Sequence, residues 1–297
     1  MTDKIDELVE IIANRVTARL NNGAGAISVS SADCVCSKDT CTNCGLCVVK
    51  KRDTVNKIID FGAARIGTNA GVGEVDTKLA HMIDHTLLKP ETTQKDLATV
   101  CEEAKKYHFA TVCVNSVNIP FVARMLKGSD VKPIAVVGFP LGAASTHSKS
   151  YEAKEAINNG ALEIDMVINI GALKSKDYKT VYEDIKEVVL ASKPYPVKVI
   201  IESSSLNNDE KVAACVLSKT AGAAFVKTST GFASGGATVE DVALMRRIVG
   251  NDMSVKASGG IRTKEDAEAM VKAGADRIGA SASIAIVTGK KAKAGNY

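Results

Sequence analysis

Tryptophan is absent from this 297-residue chain, and aromatic residues make up only 4% of it. Surfaces that stack the bases of single-stranded nucleic acid are built from such rings, so their scarcity argues against that function. The net charge of +4 is small, with both signs interspersed, and also gives no indication of a nucleic-acid partner. The four histidines have no metal-ligand spacing.

Long apolar runs are lacking as well. No stretch of about 18 apolar residues occurs, so the sequence predicts no membrane-spanning helix. The N-terminus has no basic-then-apolar signal peptide pattern, and acids such as Asp3, Asp6 and Glu7 argue against a mitochondrial transit peptide. We therefore expect a cytoplasmic protein in which free thiols persist.

Residues 4–20 carry one helical stripe of apolar side chains. The stripe consists of Ile5, Leu8, Val9, Ile12, Val16 and Leu20. Residues 1–22 are therefore predicted to form an amphipathic helix, and the small, polar residues that follow predict a flexible linker within residues 23–75. Periodicity leaves open whether this helix packs on the main domain or binds a partner.

Cysteine is concentrated in residues 34–47, "CVCSKDTCTNCGLC". The C-x₂-C-x₂-C spacing of Cys41, Cys44 and Cys47 resembles three ligands of a bacterial [4Fe–4S] site, with Cys36 or Cys34 available as the fourth. Zinc is an alternative because paired C-x₂-C thiolates suit tetrahedral coordination, and free or redox-exchanging thiols are another. We expect any metal held here to be non-catalytic.

Residues 76–297 alternate between β-type runs and helical patterns such as "QKDLATVCEEAKKY" and "YKTVYEDIKEVVLAS". The eight strand candidates are "MIDHTLL", "TVCVN", "PIAVVGF", "EIDMVIN", "VKVIIE", "AFVKTST", "SVKAS" and "DRIGAS". This alternation predicts an α/β fold, a (β/α)₈ TIM barrel. A doubly wound sheet is the alternative, although no G-x-G-x-x-G turn follows the first strand.

Charged residues interrupt three of these apolar strands: Asp165, Lys227 and Lys256. We expect all three to point into the barrel. Burial and a neighbouring cation both lower the pKa of an amine, and an unprotonated amine attacks carbonyl groups. A buried ion pair would explain one lysine and one aspartate, whereas two lysines with an aspartate favour Schiff-base chemistry.

Two glycine-rich segments follow the seventh and eighth strand candidates. They are "SGGIRT" (258–263) and "IGASAS" (278–283). The loops after strands 7 and 8 of a TIM barrel commonly bind phosphate through backbone N–H groups. Simple tight turns are the alternative, but two such loops at the two expected places favour a phosphate site.

Five collinear motifs resemble the deoxyribose-phosphate aldolase family: "IDHTLLKP", "EIDMVINIGAL", "FVKTSTGF", "VKASGGIRT" and "RIGASAS". The resemblance runs from about Asp76 to Val287. It implies a metal-independent class I aldolase that reversibly cleaves 2-deoxy-D-ribose 5-phosphate to D-glyceraldehyde 3-phosphate and acetaldehyde. Another phosphosugar class I aldolase, or a non-catalytic barrel that carries a cysteine-ligated metal or redox module, is the alternative.

The resemblance also implies roles for individual residues. Lys227 would form the Schiff base, and Lys256 would lower the Lys227 pKa and share a proton relay with Asp165. Asp84 and Cys113 would line the pocket. The residues that would hold phosphate are Thr230, Gly231, Gly259, Gly260, Gly279 and Ser281.

Two positions show how closely the chain follows the family pattern. Some members carry a lysine after "KTSTG" that helps to bind phosphate, where this chain has Phe232. Some end in a tyrosine that assists proton transfer, but Tyr297 follows a tail of Lys, Ala and Gly that is expected to be mobile, so we assign it no such role. The helix of residues 4–20 and its linker resemble the encapsulation peptides of enzymes packaged in bacterial microcompartments. That resemblance implies docking to shell or co-cargo proteins, and related barrels imply a homo-oligomer such as a dimer.

Overall fold

A computed structural model describes residues 76–289 of the chain. The predicted amphipathic helix, the linker with its cysteine segment and Tyr297 therefore lie outside the described residues. Within residues 76–289 no helix is long and apolar enough to cross a bilayer.

Eight parallel strands close into a barrel, with each strand pairing with the next in sequence and β8 pairing with β1. The strands are β1 (Ile83–Leu87), β2 (Thr111–Asn115), β3 (Lys132–Val137), β4 (Glu163–Val167), β5 (Val197–Ile200), β6 (Phe225–Lys227), β7 (Ser254–Ser258) and β8 (Arg277–Ala280). The predicted barrel is thus confirmed for this part of the chain. The doubly wound alternative is wrong, because the His85–Ala280 register joins the first strand to the last.

The described residues also form ten α-helices. These are α1 (Thr77–Ala80), α2 (Gln94–Tyr107), α3 (Ile119–Met125), α4 (Thr146–Asn158), α5 (Ile170–Lys174), α6 (Tyr178–Ser192), α7 (Asn208–Thr220), α8 (Val239–Val249), α9 (Lys264–Ala273) and α10 (Ser283–Thr288). The bounds of α2 and α6 coincide with the predicted segments. Periodicity did not predict α3 and α5, which have only seven and five residues and so display no extended stripe.

Side-chain caps fix where several helices begin. Thr93, Asn207 and Thr263 each accept a hydrogen bond from the backbone N–H three residues later, and the acid at that position bonds back to form a capping box. These boxes start α2, α7 and α9 directly after the loops at the C-terminal ends of β1, β5 and β7. The loops are thereby anchored at their helical ends.

The main apolar core lies between the barrel and the helices. Ile164 and Met166 of β4 belong to it, whereas Glu163 and Asp165 alternate with them and face the barrel interior. The same alternation in the other strands places a second, small apolar cluster inside the barrel. Because of this alternation, a single strand contributes side chains both to the outer apolar core and to the barrel interior.

Candidate active site

Asp165, Lys227 and Lys256 meet inside the barrel, as their strands predicted. Lys227 Nζ and Lys256 Nζ both donate to Asp165 Oδ2, at 2.8 and 2.7 Å. All three side chains are buried. Adjacent register positions on β6 and β7 bring the two lysines side by side.

The cluster extends to four further charged residues on β1, β4, β5 and β8. They are Asp84, Glu163, Lys198 and Arg277. Lys256 Nζ lies 2.5 Å from Asp84 Oδ2, and Lys198 Nζ lies 3.2 Å from Asp165 Oδ1. Of these four, only Asp84 had been predicted as a site residue.

Lys198 was missed although its signal was present in the sequence. It lies within the apolar strand "VKVIIE", just as Lys227 and Lys256 lie within theirs, and it is fully buried. The same criterion, applied to every strand, selects it. Glu163 and Arg277 begin their strands, where charged residues are common, so the sequence carries a weaker signal for them.

The electrostatics distinguish the two lysines that share Asp165. Burial lowers the pKa of Lys227 and the Lys256 ammonium lowers it further, against the opposing effect of Asp165. Burial also acts to lower the pKa of Lys256, but Asp165 and Asp84 together outweigh it and raise that pKa. Lys227 is therefore the amine that loses its proton more readily, whereas Lys256 stays protonated.

The carboxylates are held ionised. Burial alone would raise the pKa of Asp165, but Lys198, Lys227 and Lys256 hold it well below its ordinary value. Lys256, Lys198 and Arg277 likewise outweigh burial at Asp84 and lower its pKa. The Thr111 hydroxyl also donates to Asp84 Oδ1 at 2.7 Å, which keeps that oxygen satisfied.

Cys113 belongs to a small apolar cluster that forms one wall of the barrel interior. Leu88, Ile134 and Val136 are its other buried members, and Phe139 packs against them. Burial, with a further contribution from Asp165, raises the pKa of the Cys113 thiol to about 11. The wall is thus uncharged at neutral pH and suits a small alkyl group rather than an ion.

Gly279 lies against Lys256, and its predicted contact with phosphate stays a prediction. A Cβ at this position would be 3.0 Å from both Lys256 Cε and Ser258 Cβ. The missing side chain therefore leaves room for the lysine stem, whereas sequence reasoning had assigned this glycine to phosphate. Ser281, two residues later, is partly exposed at the barrel mouth.

The loops after β6 and β7 carry three glycines with left-handed backbone, Gly231, Gly259 and Gly260. Their φ angles of +85°, +87° and +80° are ones that other residues rarely adopt. Gly231 and Gly260 have open space where a Cβ would be. Ala237 N donates to Gly259 O at 3.0 Å, which joins the two loops.

Thr230 is already engaged within the protein. Its backbone N–H and its hydroxyl both donate to Glu202 Oε2, at 3.1 and 2.5 Å. Glu202 is buried and has a positive φ of 54° at the end of β5. In the described structure this threonine fixes the loop after β6, and its N–H is not free to bind an anion.

Phe232 is exposed at the mouth of the barrel, where a lysine would be expected from some relatives. Its ring packs edge-on against Phe139, with centroids 5.2 Å apart. About half of the side chain remains open to solvent, 46% by area. The contact continues the apolar wall at Cys113 outward and replaces a cation with a ring.

Metal ligation has no structural basis within residues 76–289. No group of three or more His, Cys, Asp or Glu side chains there is arranged to hold an ion. The cysteines predicted as ligands lie outside the described residues.

The closed parallel barrel encloses a lysine of lowered pKa beside a protonated lysine and an ionised carboxylate. This arrangement defines a barrel enzyme suited to carbonyl chemistry. A family model, the DeoC/LacD family aldolase, matches residues 78–294. This chain belongs to that family, and it is an aldolase.

Curated relatives and solved structures agree with the family. A deoxyribose-phosphate aldolase from Clostridium novyi is 60% identical over 216 residues, 72% of this chain and 97% of the relative. One from Streptococcus suis is 60% identical over 220 residues, 74% of this chain and 100% of the relative. A tetrameric deoxyribose phosphate aldolase from Aeropyrum pernix superimposes with a TM-score of 0.67 at 33% identity, covering 78% and 95% of the two chains.

Proposed function

We propose that this chain reversibly cleaves 2-deoxy-D-ribose 5-phosphate to D-glyceraldehyde 3-phosphate and acetaldehyde, through a Schiff base on Lys227. The observation that carries the proposal is the lowered pKa of Lys227, caused first by burial and then by Lys256, beside an ionised Asp165. The names of relatives at about 60% identity support the choice of substrate.

The proposed reaction begins when Lys227 Nζ adds to the C1 aldehyde of the open-chain sugar. Loss of water forms an iminium ion, and removal of the proton from the C3 hydroxyl then breaks the C2–C3 bond. Its electron pair moves into the iminium, so that glyceraldehyde 3-phosphate leaves and an enamine stays on Lys227. Protonation at C2 and hydrolysis by water release acetaldehyde and restore the amine.

Asp165 and Lys256 are suited to the proton transfers of this scheme. Asp165 Oδ2 lies within hydrogen-bond distance of both amines, so it can pass a proton through water without leaving its place. The lasting charge on Lys256 repels a proton from Lys227. The uncharged wall at Cys113 suits the two-carbon fragment.

Phosphate binding is proposed for the loops after β6, β7 and β8. The open backbone at Gly231 and Gly260 supports it, with Gly259 shaping the turn between them and Ser281 at the mouth. Thr230 and Gly279 are also proposed members of this site, and in the described structure Thr230 donates to Glu202 while Gly279 lies against Lys256.

Borohydride trapping tests the proposal directly. The protein is incubated with acetaldehyde or 2-deoxy-D-ribose 5-phosphate, reduced, digested and analysed by mass spectrometry. We expect the added mass on Lys227 and its loss in Lys227→Ala. Lys149→Ala, which removes another buried lysine, is the matched control and should still carry the adduct on Lys227.

The outcomes distinguish the alternatives. An adduct with acetaldehyde but no turnover of deoxyribose 5-phosphate would indicate another phosphosugar class I aldolase, identified with a panel of donor and acceptor aldehydes. No adduct on folded protein would sink the aldolase mechanism. It would leave a barrel that carries the cysteine segment as the alternative.

For the extension we propose that residues 4–20 act as an encapsulation peptide that docks the enzyme on shell or co-cargo proteins of a bacterial microcompartment. The apolar stripe supports this, as does the position of the extension outside the family match, which begins at residue 78. A volatile, reactive product such as acetaldehyde gives packaging a chemical purpose.

Deleting residues 1–22 tests the packaging proposal. We expect unchanged aldolase activity and loss of co-purification with shells when both are expressed together. Packaging that survives the deletion would contradict the proposal, and a charge-reversal variant of Glu7 and Glu10, on the polar face, serves as control.

For the cysteine segment we propose metal binding by Cys41, Cys44 and Cys47 with Cys36, as a [4Fe–4S] cluster or as zinc. The C-x₂-C-x₂-C spacing supports it. Protein purified anaerobically should be brown with absorbance near 400 nm for iron–sulfur, or colourless with bound zinc by elemental analysis. Metal-free protein in both preparations would favour free thiols.

We also propose a homo-oligomer, with a dimer as the expected state. The relative from Aeropyrum pernix is described as a tetramer, which supports self-association in this family. Light scattering on the purified enzyme distinguishes dimer from tetramer, and a monomer would contradict the proposal.

A further inference from the structure

The barrel interior holds more basic groups than acidic ones. Four cations converge there, and three carboxylates face them. The cations are Lys198, Lys227, Lys256 and Arg277, and the carboxylates are Asp84, Glu163 and Asp165. If every group were ionised, this enclosed cluster would carry one uncompensated positive charge, which burial makes costly.

Three of the cations each contact two carboxylates and so form a ring of alternating charge, which we call the charge ring. Lys256 bridges Asp84 and Asp165, with Nζ–O distances of 2.5 and 2.7 Å. Lys198 bridges Asp165 Oδ1, at 3.2 Å, and Glu163.

Arg277 closes the charge ring from β8. Its Nη1 lies 2.8 Å from Asp84 Oδ1 and its Nη2 lies 3.8 Å from Glu163 Oε1. Lys227 is not a member, because its ionic contact is with Asp165 alone, through the oxygen that Lys256 also uses. Of the four interior cations it is thus the one with the fewest carboxylate contacts.

We propose that Lys198 is a positioning residue for the amine chemistry: it completes the charge ring by holding Asp165 Oδ1 and Glu163, and thereby leaves Lys227 as the amine that gives up its proton. This inference rests on the proposed function, since it explains how Lys227 would be kept nucleophilic. Lys198 would not contact substrate and would act through Asp165.

The directions of the pKa shifts agree with this arrangement. Burial opposes the charged form in every case, but carboxylates outweigh it and raise the pKa of Lys198, Lys256 and Arg277. Of the four cations, only Lys227 has a lowered pKa.

The remaining walls of the interior contribute a thiol, a largely exposed lysine and Glu202, a buried carboxylate just after β5 that accepts hydrogen bonds from Thr230 and forms no ion pair among the described residues. From β2 comes the Cys113 thiol, whose pKa burial raises to about 11. From β3 come the apolar Ile134 and Val136, and Lys132, whose Nζ is 3.9 Å from Glu163 Oε1 and whose side chain is 55% exposed. The seven groups of the cluster are therefore the ionisable groups of the interior that ion pairs join to one another.

Lys198→Met tests the proposal through the pH profile of kcat/KM. With one ring cation removed, Lys227⁺ becomes the third cation for the three carboxylates, so its proton is held more tightly. We expect the acidic limb to move up by about one to two pH units, because Lys198 and Lys227 share the Asp165 carboxylate and a buried charge coupled in this way is worth about that much. Activity at pH 7 should fall about 10- to 100-fold and recover at about pH 9.

Two further variants change the charge count in other directions. Glu163→Gln removes a carboxylate, so the acidic limb should move to lower pH. Lys198→Met combined with Glu163→Gln removes one charge of each sign and should return the limb close to the wild-type position. If Lys198→Met alone fails to fold, the opposite shift in Glu163→Gln and its reversal in the double variant still decide the matter.

Controls separate charge from structure. Lys198→Arg keeps the cation and should keep the wild-type limb, while Lys174→Met removes a half-exposed lysine outside the barrel, paired with Glu210, and should leave the limb unmoved. The rate of borohydride-trapped adduct formation with acetaldehyde provides a second pH readout, because acetaldehyde carries no phosphate group that titrates.

A loss of kcat/KM by the same factor at every pH in Lys198→Met, or a double variant that does not return the limb, would overturn the proposal. If the proposed function itself is wrong, the wild-type protein gives no trapped adduct on Lys227. A wild-type adduct with an unmoved limb in Lys198→Met refutes the charge-ring role alone.

Discussion

At the scale of single residues, Phe232 distinguishes this chain from relatives with a lysine after "KTSTG". Its ring contacts Phe139 and faces solvent beside the glycine loops proposed to bind phosphate. A ring offers a phosphate dianion no hydrogen bond, so the proposed phosphate binding would depend here on backbone N–H groups. We therefore expect the residue at position 232 to affect the affinity for the substrate rather than the rate of the chemical step.

Phe232→Lys should lower KM for the phosphorylated substrate by roughly three- to tenfold and change kcat little, since an added partly exposed cation contributes about 1 kcal/mol. The gain should shrink in 0.5 M salt, where such charges are screened. Phe232→Leu removes the ring contact without adding charge and should not lower KM. A KM that stays constant in the lysine variant would contradict the proposed phosphate site.

Gly279 is the residue on which the position of Lys256 depends. Gly279→Ala would place a Cβ 3.0 Å from both Lys256 Cε and Ser258 Cβ, so the lysine stem or its neighbour must shift. We expect kcat/KM to fall at least tenfold while stability falls by about 1–3 kcal/mol, typical of overpacking. Gly171→Ala, where the nearest neighbour is Asn169 Oδ1 at 3.6 Å, is the control and should remain close to wild type by steady-state kinetics and thermal melting.

At the scale of elements, Lys149 joins α4 to α6 and to the end of β4. Its Nζ donates to Asp184 Oδ2 at 2.6 Å and to Val167 O at 2.9 Å, and all of its side chain is buried. A Cβ at Gly138 would meet the Lys149 stem at 2.9 Å. The lysine thus also fixes the loop after β3, which carries Phe139.

Lys149→Met should lower the free energy of unfolding by about 3–5 kcal/mol, because Asp184 would be left buried without its cation. Lys149→Met combined with Asp184→Leu removes both charges and should recover most of that loss. Urea denaturation followed by circular dichroism measures both variants. Equal stability of the single and double variants would show that the ion pair carries no coupling.

The elements also show how far the sequence determines the site. Lys227, Lys256 and Asp165 were predictable because charge inside an apolar strand stands out, and Lys198 carried the same signal. The engagement of Thr230 with Glu202 was not predictable, since it depends on the left-handed backbone at Glu202 and on how two loops meet. Neither was the charge ring, because the register across β1, β4 and β8 decides which charges touch.

At the scale of the whole molecule, the ionised interior makes stability depend on pH. Asp84 and Asp165 have folded-state pKa values below the ordinary 3.8, because cations outweigh burial. A lowered carboxylate pKa contributes stability that is present above the unfolded value and is lost as pH falls below it.

We therefore expect the free energy of unfolding to decline from about pH 4 downward, by up to about 1.4 kcal/mol per pH unit for each such carboxylate, and the urea midpoint to fall with it. Asp209→Asn, which removes an exposed acid at the start of α7, should leave that slope unchanged. A midpoint that stays flat down to pH 3 would show that these carboxylates gain little from their partners.

The pairing of β1 with β8 has a consequence for synthesis on the ribosome. Asp84 of β1 finds its partners Lys256 and Arg277 on β7 and β8, the last two strands to be made. Until they emerge, the first strands would have to bury a carboxylate with no counter-ion, which is unfavourable. The nascent barrel is therefore expected to stay open until β7 and β8 have been made, and then to close as a single cooperative unit.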